Sequence, residues 1–184
     1  MGAQLRRLIV AALVVVAALW LGSLRRSGQI PAGDPMAGAP SNVQAARVTR
    51  VVDGDTLRVE VTGPGRLPGG EHRVRLLAID SPELDDGAGP ECGASAAAAY
   101  LRDRVPAGSR VWLEADRQDV DRFDRPLRYV WTTGDALLNL AVVEAGHARA
   151  VLIAPNNRYS TAMRDAEDVA RAAGAGVWSA CAGA

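Results

Sequence analysis

The nine residues from Val51 to Val59 read VVDGDTLRV, two runs rich in β-branched residues folded about Asp-Gly. The pattern predicts a β-hairpin, because Asp-Gly favours the positive φ angles of tight hairpin turns and the flanks suit half-buried strands. Asp53-Gly54 suffices for such a turn, so Asp55 is a second carboxylate that the backbone does not require. The rest of the chain continues in the same style. Ala46 to Val52 and Thr56 to Val61 flank the turn, and Gly63 to Gly70, with four glycines and two prolines, makes a long hairpin loop. Arg73 to Ile79 reads as a third strand, and its end, Leu76-Leu77-Ala78-Ile79, is apolar on both faces and so calls for cover on both sides. Ala94 to Arg104 is an alanine-rich helix, and Arg110 to Ala115 and Leu127 to Thr132 are strands four and five. Ala136 to Ala145 is a short helix ended by Gly146, which suits a left-handed cap. Tyr159 to Ala173 is a last, amphipathic helix. Five strands with a helix between the third and fourth, and three helices in all, predict an α+β fold built on a five-stranded OB-type β-barrel. Strands grouped early and helices late argue against a parallel α/β sheet.

Ahead of this domain, Leu8 to Leu24 are seventeen residues without a charge, flanked by Arg6-Arg7 and Arg25-Arg26. At ~1.5 Å per residue they reach about 26 Å, just under the hydrocarbon thickness of a bilayer. Bulky Trp20 and Leu21 stand where a cleavage site wants small residues, and Ala37-Gly38-Ala39 lies far downstream. The segment therefore reads as a membrane anchor, with removal as a signal peptide and secretion as the alternative. From Ser27 to Ala45 the composition turns to Gly, Pro, Ala, Ser and Asn, as in a flexible tether. The expected organisation is an anchor over residues 1–26, a linker over 27–45 and a folded domain over 46–181, placed outside the cell membrane.

All 21 basic residues are arginine. The lack of lysine excludes GxxxxGK phosphate loops, Schiff-base enzymes and nucleases that need a catalytic lysine. Seventeen arginines face twenty acids beyond residue 45, a net charge of about −3, so the domain is not a basic patch that binds nucleic acid by bulk charge.

The chemistry concentrates where strand three ends, in Arg75-Leu76-Leu77-Ala78-Ile79-Asp80-Ser81-Pro82-Glu83. Arg75 shares strand parity with Leu77 and Ile79, so it faces the core side and needs a partner against desolvation. Asp80 and Glu83 leave the strand at a proline-fixed turn. If strands two and three pair, Asp55 approaches Asp80, gathering three carboxylates and an arginine at one barrel edge. Such crowding requires a cation or a proton. Carboxylates with a carbonyl oxygen suit Ca²⁺ or Mg²⁺ rather than zinc, and a solvated acidic turn with a salt bridge to Arg75 is the plainer alternative. A second arginine-bearing turn, Asp121-Arg122-Phe123-Asp124-Arg125-Pro126-Leu127, precedes strand five. Phosphodiester cleavage needs cations on the non-bridging oxygens and a base for water, and the two turns together could supply both.

The stretches VTRVVDGDTLRV, VRLLAIDSPE, DRFDRPLRYVW, LNLAVVEAGHARA, APNN and VWS, in this order, resemble the thermonuclease family, the staphylococcal nuclease-like OB-fold enzymes. The resemblance runs from about Ala46 to Ser179. It implies a calcium-dependent endonuclease that cleaves DNA and RNA and leaves 3′-phosphates and 5′-hydroxyls. Asp55 and Asp80 match the family's calcium carboxylates, and Ser81 stands where a threonine offers its main-chain carbonyl to the ion. Glu83 matches the general base that activates water for in-line attack. Arg75 and Arg125 match the arginines that neutralise the phosphate. Arg122 and Phe123 fall at substrate-binding positions, as replacements for a lysine and a tyrosine. Val151 and Ile153 occupy positions where relatives place base-stacking tyrosines, which implies weaker nucleotide binding with the phosphate chemistry kept.

Cys92 and Cys181 are the only cysteines, and in an exported chain such a pair favours a disulfide. His72 and His147 stand alone and lack metal-ligand spacing, so both read as surface histidines. The rival to the enzyme is a non-catalytic OB module that binds nucleic acid or a protein partner. A module of that kind has no need of Glu83.

Overall fold

The computed structural model describes residues 40–182 apart from 41, 86, 88 and 135. The apolar segment Leu8 to Leu24 and most of the tether lie outside the described residues. Among the described residues no helix is long and apolar enough to cross a membrane.

Five strands close a barrel. They are β1 (Gln44–Val51), β2 (Thr56–Val61), β3 (Gly70–Leu76), β5 (Arg110–Glu114) and β6 (Leu127–Thr132), and they run in the order β1-β2-β3-β6-β5, with β5 returning to β1. Neighbours are antiparallel except β3 and β6, which run parallel through Arg75–Leu127 and Leu76–Arg128. The barrel is filled by the inward, alternate residues of each strand, among them Val48, Leu57, Val59, Val74, Val111, Leu113 and Val130, all buried. Burial of each such side chain contributes about 1.5–3 kcal/mol. Gln44 and Ala45, assigned to the tether by sequence, are the first residues of β1, where Gln44 is buried and fastens the Gly63–Gly70 loop through Leu67.

The helices cover the barrel. In α1 (Ala94–Arg104) the buried residues are Ala94, Ala97, Ala98 and Leu101, one stripe at helical spacing. Helix α2 (Leu138–Glu144) is pinned by buried Asn139: Oδ1 accepts the Val130 N–H at 2.8 Å, and Nδ2 donates to the carbonyls of Leu77 at 2.8 Å and Arg128 at 3.3 Å. As expected, Gly146 ends α2 in the left-handed region (φ 71°), and the Gly146 and His147 N–H groups return to Val143 and Val142. Helix α3 (Ser160–Ala172) contributes Met163 to the core. A fourth, short helix, α4 (Val177–Ala180), goes beyond the three expected. His147 is half-buried rather than on the surface, 4.7 Å from the Tyr100 ring.

Two local expectations are corrected. The third strand was expected to run through Ile79, but it stops at Leu76, and Ala78 takes φ 64° in a turn. A separate two-residue strand, β4 (Ile79–Asp80), then pairs with β7 (Arg149–Ala150). The reason lies in Arg75, whose Nη1 donates to the carbonyls of both Leu76 and Ile79 at 2.9 and 2.7 Å, folding the chain around the guanidinium. The second correction concerns Gly54, which does not adopt positive φ. What it supplies is room. A Cβ there would lie 2.6 Å from the Ala97 Cβ and 2.7 Å from that of Ser81, so the glycine lets α1 and the Ser81 turn close onto the hairpin tip.

Gly54→Ala should therefore destabilise the domain by about 1–3 kcal/mol, the usual cost of overpacking. Urea denaturation of both proteins measures it. Equal midpoints would show that the contact relaxes freely.

Candidate active site

The site grows from the loop between β1 and β2. Asp53 turns that loop by accepting the Asp55 N–H on its own Oδ1 at 3.0 Å. Asp55 is thereby directed inward, where it is only 2% exposed. Its Oδ1 accepts the Thr56 hydroxyl at 3.0 Å, and its Oδ2 accepts both the N–H and the hydroxyl of Ser81 at 2.9 and 3.1 Å. Ser81 is thus more than a main-chain carbonyl, since its donors bind the Asp55 carboxylate.

Pairing of β2 with β3 sets Thr56 opposite Arg75, as the hairpin reading required. The Nη2 of Arg75 lies 3.2 Å from Asp55 Oδ2 and 2.7 Å from Asp80 Oδ1. Arg75 is buried, whereas the side chain of Asp80 is 59% exposed. Two carboxylates, one from the β1–β2 loop and one from the segment after the Ala78 turn, therefore share one cation, and Arg75 has the partners its burial demanded.

Partial burial holds the Asp80 carboxyl above its usual range, with Arg75 acting in the opposite sense. Partial desolvation also raises the Glu83 carboxyl, and the negative charges of Asp53 and Asp55 add to it. Asp53, buried and 4.0 Å from Arg73, is raised by burial and by Asp55. Glu83 is exposed on the turn beyond Pro82 and so open to water.

The parallel pair β3–β6 brings in the second arginine. The Arg75 N–H donates to the Pro126 carbonyl at 2.9 Å, so the Arg125–Pro126 turn lies directly beside Arg75 in the sheet. Asp121 holds Arg125 in place: its Oδ2 accepts the Arg125 Nε–H at 2.7 Å, and its Oδ1 accepts the N–H groups of Phe123 and Arg125 at 2.9 Å. Burial alone would raise the Asp121 carboxyl, but these hydrogen bonds hold it low and ionised. Phe123 is 63% exposed, with the Arg122 and Arg125 guanidinium groups 4.7 and 5.5 Å from its ring centroid. That is an aromatic face with cations beside it. At the other expected stacking positions, Val151 and Ile153 are half-buried, and the Val151 N–H is bound to the Ala78 carbonyl.

Arg75, Asp55, Asp80, Ser81, Glu83 and the Arg125 turn are thus gathered along one barrel edge, with Arg122 and Phe123 on that turn. The donors available to an ion are all oxygens, the set that suits a hard divalent cation. Asp55 and Asp80 both reach Arg75 Nη2, and an ion held there would share their oxygens with that guanidinium. Among the described residues no three acidic, histidine or cysteine side chains form a ready-made cluster, which limits the fit to these two carboxylates and a main-chain carbonyl. Sequence reasoning missed Asp121 as the residue that aims Arg125 and Asp53 as the one that aims Asp55. Asp121 carried a usable signal, its i,i+4 spacing to Arg125.

The raised Glu83 carboxyl has a thermodynamic consequence. The folded chain keeps this proton to higher pH than the unfolded chain, whose value is near 4.5. Ionised Glu83 therefore lowers stability increasingly as pH rises from there, and below it contributes nothing. In chelator, Glu83→Gln should melt above wild type at neutral pH, and the two should converge at about pH 3, well below the unfolded value, where both states of wild type are protonated. Melting curves at the two pH values check this, and identical midpoints at neutral pH would count against the burial argument.

Comparison with known proteins agrees with this arrangement. Residues 73–180 match the family described as staphylococcal nuclease homologue. The chain is 33% identical to the thermonuclease of Staphylococcus intermedius over 131 residues, 71% of this chain and 74% of that protein. It is 31% identical to the thermonuclease of Staphylococcus hyicus, covering 76% of this chain and 78% of the other. A more distant relative is the endonuclease YncB of Bacillus subtilis (strain 168), 25% identical over 80% of this chain and 68% of its own. From the motifs, the barrel and these matches it follows that the chain belongs to the staphylococcal nuclease family, the thermonucleases, and is a nuclease.

Proposed function

We propose that this nuclease is a calcium-dependent endonuclease that hydrolyses phosphodiester bonds of DNA and RNA by in-line attack of water. The observation that supports it most is the β3–β6 pairing, which sets Arg75 and the Arg125 turn side by side, with Glu83 exposed on the turn that follows Asp80. Two cations aimed by buried or hydrogen-bonded carboxylates are preorganised for the charge that builds on a phosphate during attack. Glu83, with its affinity for a proton raised by burial and by neighbouring acids, is suited to take one from water. Arg122 and Phe123 offer the substrate a second phosphate contact and a stacking face. Asp55, Asp80 and the Ser81 carbonyl would hold the calcium ion, which supplies Lewis-acid polarisation of a phosphoryl oxygen. By family resemblance the products carry 3′-phosphates and 5′-hydroxyls.

The same reading places the domain outside the cytoplasm, held to the membrane through Leu8 to Leu24. The Cys92–Cys181 disulfide supports an oxidising compartment. Cell fractionation followed by N-terminal sequencing tests the tether, and a soluble product beginning near Asn42 would contradict it.

For the chemistry, cleavage of an oligodeoxynucleotide is followed against calcium concentration in wild type and three variants. Glu83→Gln should bind metal normally and lose roughly 10²–10⁴ in rate, the range for a positioned base. Arg125→Ala should lose a similar order, about 10²–10³, by uncovering charge on the phosphate. Asp80→Asn should act differently, shifting the calcium dependence to higher concentration, and excess ion should recover part of the activity. Wild-type-like turnover in Glu83→Gln would sink the mechanism. Folded wild type that binds nucleic acid without cutting it at any calcium level would establish the binding module instead.

A further inference from the structure

Eight residues beyond Glu83 the chain comes back to it. The Glu83 N–H donates to Glu91 Oε2 at 2.9 Å, and the Glu91 N–H donates to the Glu83 carbonyl at 2.9 Å. These two bonds close the loop from Glu83 to Glu91 at its base. The next residue, Cys92, is bonded to Cys181, with the two Cα atoms 5.9 Å apart. Cys181 in turn closes α4, its N–H donating to Val177, and the Val177 N–H donates to the Gly146 carbonyl at the end of α2. A continuous path thus runs from the α2 terminus through α4 and the disulfide to Glu91, and from Glu91 to the backbone of Glu83. The arginines follow a different route. Arg75 is held by the barrel and its carboxylates, and Arg125 by Asp121.

We infer that Glu91 and the Cys92–Cys181 disulfide are positioning groups for Glu83, setting where its carboxylate stands over the phosphate without taking part in substrate binding. The inference rests on Glu83 being the base. Glu83 stands on an exposed turn with no side-chain hydrogen bond of its own among the described residues, so its location depends on how its backbone is held. Misplacement of a reacting group by about 1 Å can cost as much as 10²-fold in rate. Loosening the loop should therefore lower turnover and leave the Michaelis constant, set by the barrel arginines and Phe123, where it was.

The test compares full-length wild type, Glu91→Ala, Glu91→Gln and Cys92→Ser/Cys181→Ser, with Glu83→Gln in the same series. Initial rates are taken on one oligodeoxynucleotide in saturating calcium, well below every melting temperature. Glu91→Ala and the serine pair should each lose about tenfold in kcat with KM within about twofold of wild type. Glu91→Gln keeps an acceptor oxygen for the Glu83 N–H and should regain most of that loss. Should the serine pair not fold, the two Glu91 variants decide alone. Unchanged kcat in folded Glu91→Ala and in the folded serine pair would leave the disulfide as a staple for stability only and overturn the inference. A rise in KM that accounts for the whole effect would also overturn it. Loss of rate in Glu83→Gln without loss in the Glu91 variants would reject the positioning role and keep the base, whereas wild-type activity in Glu83→Gln would reject both.

Discussion

The arrangement hinges on one guanidinium. Arg75 is buried at the end of β3 and uses Nη1 to collect two main-chain carbonyls and Nη2 to bridge two carboxylates. A buried charge is tolerated only when its donors are matched, and removal of one partner from such a set leaves another charge stranded. Here the matching partners belong to the β1–β2 loop and to both sides of the Ala78 turn. The same contacts that neutralise Arg75 therefore shape the barrel edge. The two site arginines are not equivalent, because Arg75 answers to two carboxylates and the backbone, while Arg125 answers to one carboxylate, Asp121, and to the Phe123 ring.

Much of this edge could be read from the chain because its elements are periodic. The barrel strands follow from β-branched runs, and the approach of Asp55 to Asp80 follows from pairing strands two and three. The break at Ala78 could not be read, since a non-glycine residue at positive φ leaves no compositional mark and its cause is a tertiary contact with Arg75. Gly54 was noticed for the wrong property: the sequence suggests conformational freedom, and the fold uses its small size. The disulfide needed only a count of two cysteines and a view of the compartment. Glu91 gave no signal at all, because its contact is with a backbone eight residues away.

The departures at Val151 and Ile153 acquire a physical setting in the fold. Both lie beside the β4–β7 ladder, half-buried, and Val151 is hydrogen-bonded to the turn that Arg75 creates. Of the two, Ile153 packs against the core. Among the described residues the exposed aromatic face is that of Phe123, on the turn that also carries both Arg122 and Arg125.

The closing of the barrel has a consequence for how the molecule comes into being. Strands β1, β2 and β3 form a meander of local contacts that already unites Asp55, Arg75 and Asp80. The β3–β6 pair joins residues far apart in the chain, and non-local parallel pairing of this kind is slow to form. Arg125 reaches its neighbour only at that step. A newly made chain thus brings Asp55, Arg75 and Asp80 together early and sets the Arg125 turn beside Arg75 late, so on the proposed reading cutting power arrives only with completion of the fold.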